Sequence, residues 1–237
     1  MTAAGDLTYG RYLCLDDLLS CQHPVTASHD ELLFVIIHQS YELWFKQILH
    51  EAALLQRRLE NGDSAGSLAT ARRIAKILKT VVGQFDILET MTPAQFRYIE
   101  AVLGRRDFTP AEFDPVLDEI VGRRPVFASL LRYLDVAGFP VPSEILDRDP
   151  RAGWVTDDGV QALLATVYEE SGDAAEVCES LIDIDEGIQE WRYRHVKMVE
   201  RIIGAKTGTG GSAGAAYLRG TLFRPAFPDL WEVRSLA

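Results

Sequence analysis

The stretch from Ser28 to Glu60 contains neither glycine nor proline. As one α-helix it spans roughly 45 Å at 1.5 Å per residue, and a rod of that length dictates what can pack on it. Asn61-Gly62-Asp63 supplies turn residues to stop it. Ser28-x-x-Glu31 reads as a capping box at its start, tying up two backbone N–H groups. Inside the rod, Leu32 to Ile37 is wholly apolar and leads directly into His38. An imidazole in such a wall is unfavourable without a partner, so His38 is the first candidate for chemistry.

Helical periodicity continues through the chain. Ile74, Ile77, Leu78, Val81, Phe85 and Leu88 mark one buried stripe of a second helix over Ser67–Met91. Gln95–Leu103 reads as a short helix stopped by Gly104. Proline and glycine recur from there to Pro150, with short helices expected at Pro115–Val121 and Val126–Val136 and a turn at Gly138–Pro142. Thr156–Glu170 is helical, and the last long helix covers Asp173–Ile203. Its seam of Val177, Leu181, Ile184, Ile188, Trp191, His195, Met198 and Ile202 alternates steps of four and three, the spacing of a helix packed along its length. Strand periodicity is weak throughout. The expectation is an all-α helical bundle forming a single domain over residues 1–237.

Composition narrows the function. A chain of 237 residues with 47% hydrophobic and 25% charged side chains matches a globular protein. No apolar run reaches the roughly 18–20 residues needed to span a bilayer, and the N-terminus lacks the basic start and apolar core of a signal peptide. Three cysteines without a C-x-x-C pair disfavour a disulfide framework or zinc site and point to a reducing cytoplasm. A net charge of −11 argues against nucleic acid or an anionic membrane as partner.

His195 replaces an apolar residue in the last seam, so two buried histidines lie on distant long helices. In a bundle they can face one cavity, although a core histidine bonded to a backbone carbonyl is the alternative reading of each. No Glu-x-x-His or His-Glu-x-x-His spacing exists for a non-haem metal centre. A haem asks for less: one neutral imidazole, an apolar slot and a distal pocket. Gly208–Ser212 lacks the phosphate-loop pattern and reads as a loop that closes over a pocket, with the Thr209 hydroxyl available. Tyr9, Tyr12, Phe34, Tyr41, Trp44 and Phe45 read as core aromatics, and Glu42, Lys46 and Glu51 as exposed helix charges.

His29 to Glu51, H-D-E-L-L-F-V-I-I-H-Q-S-Y-E-L-W-F-K-Q-I-L-H-E, resembles the signature helix of tryptophan 2,3-dioxygenases. Trp191 to Arg219 resembles the family's C-terminal motif, and Leu7–Leu13, Phe85–Thr92 and Gln95–Glu100 also match, in order and across nearly the whole chain. The resemblance implies an all-helical fold, a homotetramer built as a dimer of dimers, and haem b. It implies cleavage of the indole C2–C3 bond of L-tryptophan with O₂ to give N-formylkynurenine, both oxygen atoms entering the substrate. By position it makes His195 the proximal haem ligand and His38 the distal residue that meets the indole N–H. Phe34, Val35, Ile36 and Ile37 would line the pocket, and Thr209 would touch the substrate's ammonium or carboxylate. Tyr9, Tyr12 and Leu13 would reach in from a neighbouring subunit.

The resemblance breaks at one place. Between Thr92 and Gln95 the family carries an additional segment with the arginine that pairs with the substrate carboxylate; here only Pro93 and Ala94 stand there. Phe96 takes the place of an aromatic residue beside the missing arginine. Arg97, Arg105 and Arg106 are the substitutes within reach, although Arg97 aligns with a different family arginine. Loss of a bidentate pair costs on the order of 1.5–3 kcal/mol. Turnover of a different indole by mono- or dioxygenation, and a haem-binding oligomer without turnover, are the alternatives.

Overall fold

The structure, a computed structural model, describes residues 7–103, 125–147, 156–204 and 215–235. These residues form helices and turns, with no strand among them. Two short helices, α1 (Tyr9–Tyr12) and α2 (Leu15–Leu19), precede the long α3 (Glu31–Glu60). Then come α4 (Ser64–Leu88), α5 (Pro93–Leu103), α6 (Pro125–Val136) and α7 (Ser143–Leu146). The chain continues through α8 (Asp158–Glu170), α9 (Asp173–Ile203), α10 (Ala215–Arg219) and α11 (Pro228–Glu232). The long helices agree with their periodicity to within a few residues. The short helix expected at Pro115–Val121 lies outside the described residues.

The bundle is organised by α4. It packs along both α3 and α9, while α3 and α9 scarcely approach each other through their backbones; α6 covers another side of α3. The stripe predicted on α4 is buried from Ile74 to Leu88, and the α9 seam is buried from Val177 to Trp191. Gly187 lets α9 come close, since a Cβ there would lie 3.2 Å from Leu78.

Helix ends correct the sequence reading. Ser28 and Glu31 do not form a capping box: the Ser28 N–H donates to Thr26 Oγ1 at 3.1 Å, and the Glu31 carboxylate reaches further back to the Val25 and Thr26 N–H groups. The capping box stands instead at Thr92-x-x-Gln95, where the Thr92 N–H donates to Gln95 Oε1 at 2.7 Å and the Gln95 N–H to Thr92 Oγ1 at 3.4 Å. The two motifs flanking the missing segment are thus joined by a compact helix cap. Glu51 is also corrected. It is buried on α3, ion-paired at 3.1 Å with Arg73 of α4 and accepting from Gln47 Nε2.

Buried Asp185 on α9 fastens the C-terminal segment. It accepts from the Phe227 N–H at 3.0 Å and from the Trp231 indole N–H at 2.9 Å. Arg192 donates to the Arg224 carbonyl oxygen at 2.7 Å, and Asp229 accepts from the Asp157 N–H at the start of α8. A buried carboxylate without such donors would be costly.

The turn between α3 and α4 requires glycine. Gly62 has φ +70°, and a Cβ there would meet Val136 Cγ1 of α6 at 2.9 Å. Both the left-handed backbone and the contact oppose a side chain. Gly62→Ala is expected to lower unfolding free energy by roughly 1–2 kcal/mol, measured by urea denaturation; unchanged stability would contradict this packing.

Candidate functional site

His38 and His195 reach the same interior region from α3 and α9. A continuous set of aromatic rings connects them. Phe34 lies 3.9 Å from His38 between ring centroids, and Tyr41 meets His38 edge-on at 6.4 Å. Tyr41 contacts Phe85 of α4 at 5.6 Å, and Phe85 stacks on His195 at 6.1 Å. Trp191, one turn before His195, lies 4.8 Å from it and meets Phe45 of α3 at 6.0 Å. Phe96 of α5 closes the opposite end, 6.0 Å from Phe34.

Both imidazoles are half-buried by surface, yet protein crowds them closely. Loss of solvation depresses the pKa of His38, only partly opposed by its bond to the backbone. Loss of solvation, with His38 as a like-charged neighbour, lowers His195 to about 4. Both rings are therefore neutral at pH 7. The His38 Nδ1 sits 2.7 Å from the Phe34 carbonyl oxygen. A carbonyl only accepts, so Nδ1 carries the proton and Nε2 is left as an acceptor. Neither ring nitrogen of His195 has a hydrogen-bond partner among the described residues. It is a neutral imidazole with a lone pair to offer.

Charged contacts hold α9 against α4 beside this ring. Arg194 pairs with Asp86 at 2.7 Å and Glu89 at 3.2 Å, and Arg201 pairs with Glu89 at 3.3 Å. Arg219 of α10 pairs with Glu200 near the end of α9 at 2.7 Å. Among the described residues no three His, Cys, Asp or Glu side chains converge as a metal site. Cys178 is buried, and burial pushes its thiol up to about 12, which leaves it inert; Cys14 and Cys21 are exposed.

Helix geometry divides the other candidates. Phe34 and Ile37 are buried on the inner side of α3, and Val35 is half-buried. Ile36 falls on the opposite side and is 47% exposed, so the four residues do not line one surface. Phe96 is brought to the His38 side, whereas Arg97, one residue on, is exposed. Tyr9 and Tyr12 are 76% and 70% exposed and Leu13 is exposed beside them, away from the interior of their own chain. Thr209, with the Gly208–Ser212 loop, and Arg105 and Arg106 lie outside the described residues.

Tyr41 was legible only as a core aromatic. Its hydroxyl is buried with no hydrogen-bond partner among the described residues, and burial raises its pKa, with Arg194 opposing and Glu89 adding to the effect. The available signal was its position one turn beyond His38 on the apolar face of α3.

The two neutral histidines, one on α3 and one on α9, stand at the ends of a connected set of aromatic rings in an all-α bundle, a lining that suits a flat, apolar group. The profile of the family "Tryptophan 2,3-dioxygenase" matches residues 1–123 and 152–237. A protein named tryptophan 2,3-dioxygenase from Anaeromyxobacter sp. (strain K) is 53% identical, the alignment covering 96% of this chain and 95% of the relative. Similar proteins of that name come from Herpetosiphon aurantiacus, 46% identical over 97% of this chain and 98% of the relative, and from Pseudomonas aeruginosa PAO1, 35% identical over 97% and 89%. The chain belongs to the tryptophan 2,3-dioxygenase family. The alignment with the Anaeromyxobacter protein is 254 positions long against a chain of 237 residues, so the relative has positions with no counterpart here. The family is haem-dependent, and a neutral, unpaired imidazole between Phe85 and Trp191 fits a haem.

The depressed His195 pKa makes stability depend on pH in the haem-free protein. The unfolded ring takes up a proton near pH 6.5 and the folded ring near 4. This contribution is complete above pH 6.5 and is lost as pH falls toward 4, to a limit of about 3 kcal/mol. Urea unfolding between pH 7 and 4.5 should show that loss, and His195→Leu should flatten it.

Proposed function

We propose that this chain is a haem-dependent dioxygenase that cleaves the indole C2–C3 bond of L-tryptophan with O₂ to give N-formylkynurenine. The observation that carries the reading is the pair of neutral histidines on α3 and α9, joined by aromatic walls, in a chain of this family. His195 would hold the haem iron through a ring nitrogen that has no hydrogen-bond partner among the described residues. Haem b supplies the iron centre at which O₂ is activated, and both oxygen atoms enter the substrate without an external reductant.

The remaining work is done by side chains. The Phe34 carbonyl holds His38 in the tautomer whose Nε2 accepts, which suits it to receive the indole N–H. Orientation is its first role, because an indole N–H is a very weak acid. Phe34, Ile37 and Phe96 present ring and branched aliphatic surface to a flat aromatic substrate and exclude water. Thr209 is assigned to the polar end of the amino acid. Val35 flanks the pocket, and Ile36 belongs to the outer side of α3. Arg97 is exposed and remains, with Arg105 and Arg106, a candidate partner for the substrate carboxylate.

The exposed α1–α2 segment supports assembly with further copies. Tyr9, Tyr12 and Leu13 are too apolar to face water as a group and complete the pocket of a neighbouring subunit in a homotetramer, a dimer of dimers. The 1–237 chain acts as one domain. No described helix is long and apolar enough to cross a membrane, and a cytoplasmic location follows from the cysteine usage.

Purified protein supplied with haem should show a Soret band and convert L-tryptophan to N-formylkynurenine under O₂. His195→Ala should lose haem. His38→Ala should retain haem and lose on the order of ten- to a hundredfold in kcat/KM. Normal haem content in His195→Ala, or a product carrying one added oxygen by mass spectrometry, would overturn the assignment.

A further inference from the structure

The carboxylate of Glu31, only 5% exposed, has no cation among its partners in the described residues. It accepts from the Val25 N–H at 2.8 Å, from the Thr26 N–H at 2.7 Å and from the Thr26 hydroxyl. Its three donors lie in the loop between α2 and α3. A second tether lies close by: Gln22 Nε2 donates to Gln39 Oε1 at 2.7 Å, and Gln39 Nε2 donates to the Cys21 carbonyl oxygen at 3.2 Å. Beyond these tethers α1 and α2 pack chiefly on each other, with Leu7, Tyr9, Tyr12, Leu13 and Leu19 exposed.

Burying a carboxylate in a surface loop is expensive unless several donors converge on it. Here all three serve to fix the chain at Val25 and Thr26. Glu31 and His38 are seven residues apart, two turns along one face of α3, a spacing of about 10 Å on a rigid rod. The direction in which the N-terminal arm leaves the bundle is therefore referred to the same helix that carries His38.

We propose that Glu31 is a positioning residue: it anchors the loop at Val25–Thr26 and so aims the arm bearing Tyr9, Tyr12 and Leu13 at the pocket of a second copy. This rests on the reading that the arm completes a neighbouring pocket. Glu31 touches no substrate. Its effect is on how well the pocket is closed, hence on substrate binding and not on the iron centre.

Glu31→Gln in the haem-loaded full chain tests this, because the amide presents N–H where an N–H donor must be accepted. Haem content and kcat are expected to be unchanged, and KM for L-tryptophan to rise about tenfold. Hydrogen exchange at the Val25 and Thr26 amides should accelerate, a readout independent of turnover. Tyr12→Ala separates the two ideas. An unchanged KM in Tyr12→Ala would show that the arm does not complete a pocket. A raised KM there, with unchanged KM in Glu31→Gln, would remove the role of Glu31 and leave the assembly standing. Should Glu31→Gln fail to fold, Thr26→Val removes the hydroxyl donor alone. It should raise KM about threefold, and an unchanged KM would overturn the proposal.

Discussion

The position of α4 between α3 and α9 governs the whole molecule. α4 packs along both, and its side chains connect the two helices that carry the histidines. Phe85 of α4 is the contact that matters most, since its ring touches Tyr41 of α3 and both Trp191 and His195 of α9. Burying one such ring stabilises by about 1.5–3 kcal/mol. The neighbouring ion pairs of Arg194 are partly exposed and contribute about 0–1 kcal/mol each. Aromatic packing therefore supplies the cohesion, and the charges set the register of α9 on α4.

The same packing sets the protonation of the site. Desolvation among aromatic rings is the first cause of both lowered pKa values, and His38 adds to it at His195. The Phe34 carbonyl accepts a hydrogen bond from Nδ1 of His38 and so fixes the tautomer in which Nε2 is the acceptor. Two identical side chains so differ by their surroundings: His38 has its tautomer set by a backbone carbonyl, and His195 has no hydrogen-bond partner among the described residues.

Much of this was legible in the amino-acid order. α9 was bounded at Asp173 and Ile203 by periodicity and Gly204, because a long helix with a regular seam leaves a strong signal. Short elements were not legible. α1, α2, α10 and α11 have four or five residues each, too few for a period to show. Charges misled where partners came from another helix: Glu51 looks solvent-facing along α3 until Arg73 of α4 is placed beside it. Glu31 fitted a local capping pattern, yet its carboxylate found donors two and three residues before Ser28 in a folded loop.

The sequence by itself determined the helical class, the long rods, the two histidines and the family, since each depends on local periodicity or on ordered motifs. It also showed that the segment between Thr92 and Gln95 is short. Only the tertiary structure decided that Phe34, Ile37 and Phe96 join His38 while Ile36 and Arg97 turn away, and that Tyr41 and Phe85 bridge the two histidines. Those outcomes depend on which face of each helix meets α4, and a face is chosen by packing between elements far apart in the chain.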